Sequence, residues 1–200
     1  MTAARTDELL ELARAAGNGD PDAVTTLVTA LGSAMLRTVR KVLGPGHSDI
    51  EDVTQDAVIA LVSTLSNFRG DCTVMHFAHR VALLTALAAR RRLRTRDRWT
   101  ELDASATEFV AADEKLSSPL SGTIGKRRRA IVLHLLDDLA EPIAEALALH
   151  FILGYTVDEI AASASVPPNT VWSRLRLGKA ALRKKLERDT QLAEALQSRE

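Results

Sequence analysis

Apolar residues recur every three or four positions through most of the first hundred residues, and this periodicity restricts what the chain can form to helices. The first two segments each place their apolar side chains on one face: Leu9, Leu12 and Ala13, then Val24, Leu27, Val28 and Leu31. No segment alternates apolar and polar residues for long enough to require a β-strand. Only 10 glycines and 6 prolines occur among 200 residues, a composition that favours helices. We therefore predict an all-α fold.

Breaks rich in glycine and proline divide the first half of the chain. The segment 17–21 ends a first helix, and Asp20 is placed to cap a second helix that has Pro21 at its first position. The segment 44–46 ends this second helix near Leu43.

A third helix is predicted to follow a capping box formed by Ser48 and Glu51. Its predicted apolar stripe consists of Ile50, Val53, Ala57, Leu61 and Leu65. The residues predicted to face outward are Glu51, Asp52, Gln55 and Asp56. After a turn at 68–71, a fourth helix is predicted from about Thr73 to Arg92.

Residues 100–125 lose this periodicity and contain the serine- and proline-bearing stretch 117–122. We therefore predict two small helical domains joined by a flexible linker. The predicted boundaries are 1–98 for the first domain, 99–125 for the linker, 126–190 for the second domain and 191–200 for a tail.

The second domain has the pattern of a helix-turn-helix. A helix over 144–153 ends at Gly154, and a capping box formed by Thr156 and Glu159 opens a short helix over Val157–Ala164. A turn over 165–167 follows, and Pro168 suits the first position of the next helix, at 169–186. We predict that Val171, Leu175, Ala181 and Leu182 face inward, and that the outward residues are Asn169, Thr170, Trp172, Ser173, Arg174, Arg176 and Lys179.

These outward residue types are those that read DNA in the major groove. Arginine can bind guanine through two hydrogen bonds, asparagine can bind adenine in the same way, and lysine neutralises phosphate. A short helix, a three-residue turn and a second helix with polar residues at its start are typical of such a reader. The alternative is a helical hairpin that packs on a protein partner.

The distribution of charge is consistent with a polyanionic partner. Basic and acidic residues number 26 each, so the formal net charge is zero. Residues 61–98 nevertheless hold eight basic and two acidic groups, and residues 171–188 hold seven basic groups and one acidic group. Two separate basic segments of this kind are typical of a protein that binds nucleic acid, although charged runs are also found on ordinary solvated helix faces.

Other classes of protein are disfavoured. One cysteine cannot form an internal disulfide, the longest apolar stretches are too short for membrane insertion, and the acidic start does not resemble a signal peptide, so we expect a cytoplasmic protein. Cys72, His76 and His79, with Asp71, have a spacing that zinc could use, but no paired ligand set accompanies them, so we interpret them as solvent-facing or core-edge side chains. No nucleophile with a nearby base and no glycine-rich phosphate loop is visible. We therefore expect no enzyme activity, no metal and no cofactor.

Several motifs, in order, carry a resemblance to a known family. They are Gly19–Ala23, Asp49–Asp56, Phe68–Asp71 with the arginine-terminated helix after it, Leu139–Pro142, Gly154–Ala161 and Asn169–Leu175. In these the chain resembles a bacterial RNA polymerase sigma factor of the small, two-domain extracytoplasmic-function type. The resemblance covers about 7–98, called region 2, and 126–188, called region 4.

The resemblance implies a role for each segment. The third helix would bind core RNA polymerase through Glu51, Asp52, Gln55 and Asp56. The fourth helix and the turn before it would bind the minus-ten promoter element through Arg69, Phe77, Arg80, Arg90, Arg91, Arg92 and Arg94. The helix after the second-domain turn would read the minus-thirty-five element. An anti-sigma partner is also implied.

Three positions depart from the family pattern. Phe77 stands where the family usually has tryptophan, Leu84 where it has asparagine, and Ala88 where it has aspartate. Phe77 is also the only aromatic residue between Arg69 and Arg98. Few aromatic side chains are therefore available to stack on bases, an interaction worth about 1–3 kcal/mol per base. We interpret the chain as a divergent sigma factor with unusual or weak melting specificity. The alternatives are a helix-turn-helix regulator that acts without polymerase and a helical adaptor that does not bind DNA.

Overall fold

The structure is a computed structural model that describes residues 3–44, 46–103 and 132–188, with side chains described over 6–44, 46–95 and 132–188. These ranges contain α-helices and one 3-10 turn, Leu65–Asn67, and no strand, which confirms the predicted all-α class. The helices are α1 (Ala3–Gly17), α2 (Pro21–Leu43), α3 (Ile50–Thr64), α4 (Val74–Asp103), α5 (132–137), α6 (Glu141–Phe151), α7 (Val157–Ala164) and α8 (Pro168–Arg188). Most of the predicted linker and the predicted tail lie outside the described residues.

The start of α2 is capped as predicted. The Asp20 carboxylate accepts hydrogen bonds from the backbone N–H groups of Asp22 and Ala23, at 2.9 and 3.2 Å, and Pro21 is the first helical residue. Both features satisfy or remove N–H groups that would otherwise lack a partner at a helix start.

The capping box predicted for α3 is wrong. Asp49 occupies the cap position without a side-chain cap bond, and the Ser48 hydroxyl instead donates a hydrogen bond to the Asp49 carboxylate at 2.6 Å. Because the helix begins at Ile50, Glu51 lies at its second position rather than its third, so the reciprocal spacing of a capping box is lost.

The predicted end of the fourth helix is also wrong. The helix α4 continues from Arg92 to Asp103 and includes residues 99–103 of the predicted linker. No glycine or proline interrupts Val74–Asp103, and arginine and leucine are good helix formers, so a run of like charges alone does not end the helix.

The helices α1 to α4 pack around one apolar core. The predicted stripe of α3 is buried from Ile50 to Leu65, and Leu27, Leu31 and Met35 of α2 are completely enclosed. The helix α4 packs against both α2 and α3. One face of α4 therefore closes the N-terminal core, and the opposite face is left for other contacts.

The helices α6, α7 and α8 form the second packed unit. Residues 144–149 of α6 are all buried because this helix lies between α8 on one side and α4 on the other. Gly178 lets α8 approach α6 closely, since a β-carbon there would lie 2.6 Å from Leu147 Cδ1 and 2.9 Å from Ile143 Cγ2.

We expect Gly178→Ala to destabilise the chain because the added methyl group overpacks the contact between α6 and α8. Overpacking a core typically destabilises a protein by about 1–3 kcal/mol. Because alanine favours a helix over glycine by up to about 1 kcal/mol, we expect the free energy of unfolding to fall by about 1 kcal/mol. Urea unfolding measures the effect. Gly32→Ala is the matched control, because nothing lies within 4 Å of a β-carbon there, and it should be neutral or stabilise by up to about 1 kcal/mol. Equal effects of the two substitutions would contradict the close contact.

Candidate nucleic-acid interface

Local structure defines both ends of α7. The Thr156 hydroxyl oxygen accepts the N–H of Glu159 at 3.3 Å, and the Glu159 carboxylate accepts the N–H of Thr156 at 2.8 Å. This confirms the predicted capping box. The backbone hydrogen bond from Thr156 also lowers the pKa of Glu159. At the other end of α7, Ser165 adopts a left-handed conformation with φ of 51°, and Pro168 begins α8 as predicted.

The first half of α8 presents a polar face beside a buried one. Val171 and Leu175 are buried as predicted, whereas Ala181 and Leu182 are only half-buried. Four of the predicted DNA-reading residues are exposed: Asn169, Trp172, Arg176 and Lys179. The other three are half-buried: Thr170, Ser173 and Arg174. The seven predicted residues thus lie between Asn169 and Lys179 in the first part of a helix that follows a tight turn, and four of them are exposed.

An aromatic side chain missed in the sequence lies beside this face. Phe151 at the end of α6 is 56% exposed, and the Lys179 amine lies 5.1 Å from the centre of its ring. The ring face attracts the cation and restrains the lysine side chain near α8. Only the folded contact between α6 and α8 identifies Phe151, because it lies 28 positions before Lys179.

A second exposed surface lies on α3. The predicted outward residues Glu51, Asp52, Gln55 and Asp56 are all exposed. Ile59 continues this surface and is 59% exposed. Ile59 falls outside the spacing of the apolar stripe of α3, and this spacing is the sequence signal that could have identified it. The outer face of α3 therefore combines acidic side chains with one large apolar side chain.

The arginines of α4 have partners that sequence reasoning did not predict. Four of the seven residues proposed for the minus-ten element bind carboxylates of α5, α6 and the turn between them. The pairs are Arg80–Glu145 at 2.5 Å, Arg90–Asp137 at 2.9 Å, Arg91–Glu141 at 3.2 Å and Arg94–Asp138 at 2.5 Å. Of the other three, Arg69 and Arg92 are exposed, and Phe77 packs against Phe68 with ring centres 5.0 Å apart.

Two of these ion pairs are largely removed from water. Asp137 accepts two hydrogen bonds from Arg90, and its side chain is 3% exposed. Glu145, at 6% exposed, lies among buried residues of α6 and accepts a hydrogen bond from Arg80 Nε. Removing one partner of such a buried pair typically destabilises a protein by about 3–5 kcal/mol, because a charge is left buried without compensation.

Asp138 connects three elements through one carboxylate. It accepts hydrogen bonds from Arg94 of α4 and from Lys185 of α8, at 2.5 Å each. Burial by itself would raise the pKa of Asp138, but the hydrogen bonds from Lys185 and Arg94 outweigh it and lower the pKa. The two basic segments seen in the sequence therefore meet at this acidic residue.

The histidines of α4 contact the start of the helix-turn-helix. The His79 ring nitrogen Nδ1 is hydrogen-bonded to the Tyr155 hydroxyl, and the His76 ring lies 4.5 Å from the Tyr155 ring, centre to centre. Burial, followed by the charges of His76, Lys41 and Arg37, lowers the pKa of His79 to about 4. The unprotonated Nδ1 of a neutral His79 can accept a hydrogen bond from the Tyr155 hydroxyl. Burial also raises the pKa of Tyr155, so both groups stay uncharged near neutral pH.

This arrangement also shows the surroundings of the candidate zinc residues. Cys72, His76 and His79 are half-buried where α4 meets α7, and Asp71 is exposed. Burial and then the Asp71 charge raise the pKa of the Cys72 thiol, which disfavours the thiolate that zinc binds. Among the described residues, no group of three or more histidine, cysteine, aspartate or glutamate side chains is arranged to hold a metal ion.

The helices of the described ranges were also compared with the length and hydropathy that a membrane span requires, and none of them meets both requirements.

Comparison with known proteins places both halves of the chain among relatives. The family model described as Sigma-70, region 4 matches residues 129–182. The ECF RNA polymerase sigma-E factor of Escherichia coli K12 is 28% identical over 172 residues, which cover 84% of this chain and 89% of that protein. The RNA polymerase sigma-H factor of Pseudomonas aeruginosa is 31% identical over 145 residues, which cover 70% of this chain and 74% of that protein.

Two solved structures are also similar. One is CnrH in complex with the cytosolic domain of CnrY, with a TM-score of 0.49 and 24% identity over 89% of this chain and 96% of that chain. The other is the sigma factor RpoE in complex with the anti-sigma factor NepR from Bartonella quintana. It has a TM-score of 0.47 and 18% identity over 82% of this chain and 97% of that chain.

We expect the free energy of unfolding to fall between pH 6.5 and pH 4 because of His79. The folded chain keeps this residue neutral down to about pH 4, whereas the unfolded chain takes up a proton at its ordinary pKa of 6.5. The unfolded state therefore binds more protons in this window, and stability is recovered as the pH rises above it.

Urea unfolding at several pH values measures this effect. The free energy of unfolding of His79→Gln should depend less on pH than that of the wild type. His134→Gln, on the exposed side of α5, is the control and should keep the wild-type slope. Equal slopes for all three chains would contradict the assignment.

Proposed function

Because this chain belongs to the RNA polymerase sigma factors of the extracytoplasmic-function type, we propose that it binds core RNA polymerase through α3 and directs promoter-specific transcription initiation through α8 and α4. The observation that carries this proposal is the start of α8. Seven polar, basic or aromatic residues lie between Asn169 and Lys179 after a tight turn, four of them exposed, inside the segment that matches region 4.

The outer face of α3 supports the role in polymerase binding. Asp52, Gln55 and Asp56 project into solvent from a helix whose other face is buried in the core. Such a surface fits a basic partner, and the exposed Ile59 adds an apolar contact of the kind found at the centre of protein interfaces. We therefore add Ile59 to the proposed polymerase-binding residues.

The start of α8 supports the reading of duplex DNA at the minus-thirty-five element. Asn169 and Arg176 are exposed and can reach base edges, and Lys179 can neutralise a phosphate. Trp172, 59% exposed, provides an apolar surface that can contact a thymine methyl group.

The proposed minus-ten role of α4 rests on its arginine side chains, because its aromatic surface is small. Phe77 packs against Phe68, and Leu84 and Ala88 stand where the family has polar residues. With few rings available for stacking, backbone contacts by arginine carry the single-strand affinity. We therefore keep the hypothesis of weak or unusual melting specificity. It predicts that this chain with core polymerase opens ordinary promoters less efficiently than a typical family member, as permanganate footprinting would show.

The division of the chain into a region 2 domain over 1–98 and a region 4 domain over 126–190 remains part of the proposal. The relatives of this chain are sigma factors, which are regulators. We therefore propose that the chain is a cytoplasmic protein that has no catalytic activity of its own. An anti-sigma partner remains a prediction from the family resemblance.

A polymerase-independent regulator is the second candidate, since α7 and α8 by themselves form a helix-turn-helix. Promoter binding with and without core polymerase, at two salt concentrations, tests both functions. A sigma factor should bind a promoter fragment weakly alone and tightly with core polymerase. Tight, specific binding by the chain alone would favour the regulator, and no salt-dependent binding in either condition would favour the adaptor.

Asp52→Arg should abolish binding to core polymerase, because it reverses a charge at the centre of the exposed α3 face. Binding can be measured with fluorescently labelled chain and purified core enzyme, and circular dichroism checks that the fold is intact. Glu8→Arg makes the same charge change on an exposed position of α1 and should retain wild-type affinity. If both variants bind equally well, α3 is not the docking surface.

Arg174→Ala should lower discrimination at one base pair of the minus-thirty-five element by about 1–3 kcal/mol, if its guanidinium reads a guanine edge. Competition binding of holoenzyme to promoters substituted at single positions measures this. Arg183→Ala, at an exposed position in the second half of α8, is the control and should not change sequence preference. Uniform weakening across all promoters would instead identify Arg174 as a phosphate contact.

A further inference from the structure

Phe151, at the end of α6, is one of four large apolar residues that are more than half exposed in the described part of the chain. The others are Ile59 on α3 and Trp172 and Leu177 on α8. Single exposed apolar residues are common on protein surfaces, so exposure alone gives Phe151 no role. Its surroundings do, because the ring lies beside the helix that we propose to enter the major groove.

The packing of α8 against α6 determines where this ring lies. At Gly178 the absence of a side chain lets α8 approach Leu147 of α6, since a β-carbon there would lie 2.6 Å from Leu147 Cδ1. Phe151 follows Leu147 by four positions on α6, and Lys179 follows Gly178 directly on α8. Residues four positions apart on a helix lie on the same side. The close approach of the two helices therefore continues into the contact between the Phe151 ring and Lys179.

Two neighbouring groups restrain the ring itself. The His150 ring packs edge-on against Phe151, with ring centres 4.6 Å apart. The His150 ring nitrogen Nδ1 is hydrogen-bonded to the carbonyl oxygen of Tyr155 at 2.7 Å, which joins the end of α6 to the segment before α7. A phenylalanine side chain has only two rotatable torsions, so these contacts leave the ring little freedom.

Lys179 has the opposite character, because its four-carbon stem is flexible. Its amine lies 5.1 Å from the centre of the Phe151 ring, whose face attracts a cation. Within the described ranges no carboxylate pairs with Lys179, unlike Lys185, whose amine binds Asp138. An ammonium group has three N–H donors, so one side can face the ring while another reaches a phosphate. The charge is therefore held in place without being neutralised.

We propose that Phe151 is a positioning residue of the minus-thirty-five interface, which holds the Lys179 amine where a phosphate of the duplex backbone binds. This inference rests on the proposed role of α8 at that element. A rigid group that restrains a flexible one reduces the entropy lost on binding, which raises affinity without a new contact to the DNA. Because phosphate contacts carry no sequence information directly, the gain in affinity is independent of the base sequence.

The test varies the ring and leaves the rest of the chain intact. In the series Phe151→Leu, wild type and Phe151→Trp, the side chain stays apolar while its attraction for a cation increases. Holoenzyme is assembled from core polymerase and each full chain. Fluorescence anisotropy measures its affinity for a duplex that the wild-type holoenzyme selects from a random-sequence library. Thermal unfolding followed by circular dichroism checks the fold of each variant.

We expect Phe151→Leu to weaken duplex binding by about two- to fivefold, as a cation held by a ring at an exposed site implies, and Phe151→Trp to match or exceed wild type. The factor should be the same for duplexes that carry single base-pair substitutions in the minus-thirty-five element. Three results would each overturn the inference: a loss confined to one base pair, affinities that do not follow the ring, and tighter binding by Phe151→Leu. The last would mean that the ring competes with the phosphate for the lysine.

The same series in a Lys179→Met background tests whether the ring acts through the lysine. Methionine keeps a long unbranched side chain without the charge, so the affinities of the series should become equal. Lys184→Met removes the same charge from another exposed position of α8 and should leave the series unchanged. A series that persists in Lys179→Met would assign Phe151 a contact of its own with the DNA and overturn the positioning role.

A measurement on the free chain separates this inference from the proposed function. The ring current of Phe151 should shift the NMR signals of the Lys179 side-chain methylene protons upfield, and Phe151→Leu should remove that shift. An absent shift in the wild type would overturn the positioning role even when the holoenzyme binds its promoter normally. A wild-type holoenzyme that selects no duplex would overturn the proposed function and the positioning role together, whereas normal binding with equal affinities across the series would overturn only the positioning role.

Discussion

The pairing of Arg90 with Asp137 shows the constraint that joins the two packed units in the described part of the chain. A carboxylate that is 3% exposed requires a bound cation, and the cation comes from a helix whose other face belongs to the N-terminal core. The guanidinium of Arg90 also donates to the carbonyl oxygen of Val42 at the end of α2. One side chain thus joins α2, α4 and α5. This pair and three neighbouring pairs lie beside the buried side chains of Leu83 and Leu87, and together these contacts hold the second packed unit against α4.

The same arginines connect structure to function. Their number and spacing make α4 suitable for following a phosphate backbone, and the same properties make it a good partner for the acids of α5 and α6. A helix that binds a polyanion strongly is attracted to any acidic surface tethered to it. The proposed duplex-reading face of α8 has no acidic partner of this kind among the described residues and stays exposed, so the two proposed nucleic-acid surfaces differ in availability although both are basic.

Much of the local structure follows from short-range rules. The cap at Asp20, the capping box at Thr156 and the start of α8 at Pro168 were predicted because each depends on residues within one helical turn. The buried stripe of α3 was predicted because its apolar residues repeat along a single helix. The errors were local as well. The cap of α3 moved by one residue to Asp49, and α4 continued past its arginines because no glycine or proline stops it.

The sequence by itself determined the helical class, the helix-turn-helix and the residue types that point to polymerase and DNA, since periodicity, caps and charge are read from neighbouring positions. Only the tertiary structure decided which charges meet. Arg80 and Glu145 are 65 positions apart, and nothing in the spacing of either helix selects that pair. Likewise, no local spacing selects the contact of the Lys179 amine with the Phe151 ring or the hydrogen bond between His79 and Tyr155. Pairing across a chain depends on how the packed units lie against each other, and that is set by the shapes of buried surfaces that no local pattern records.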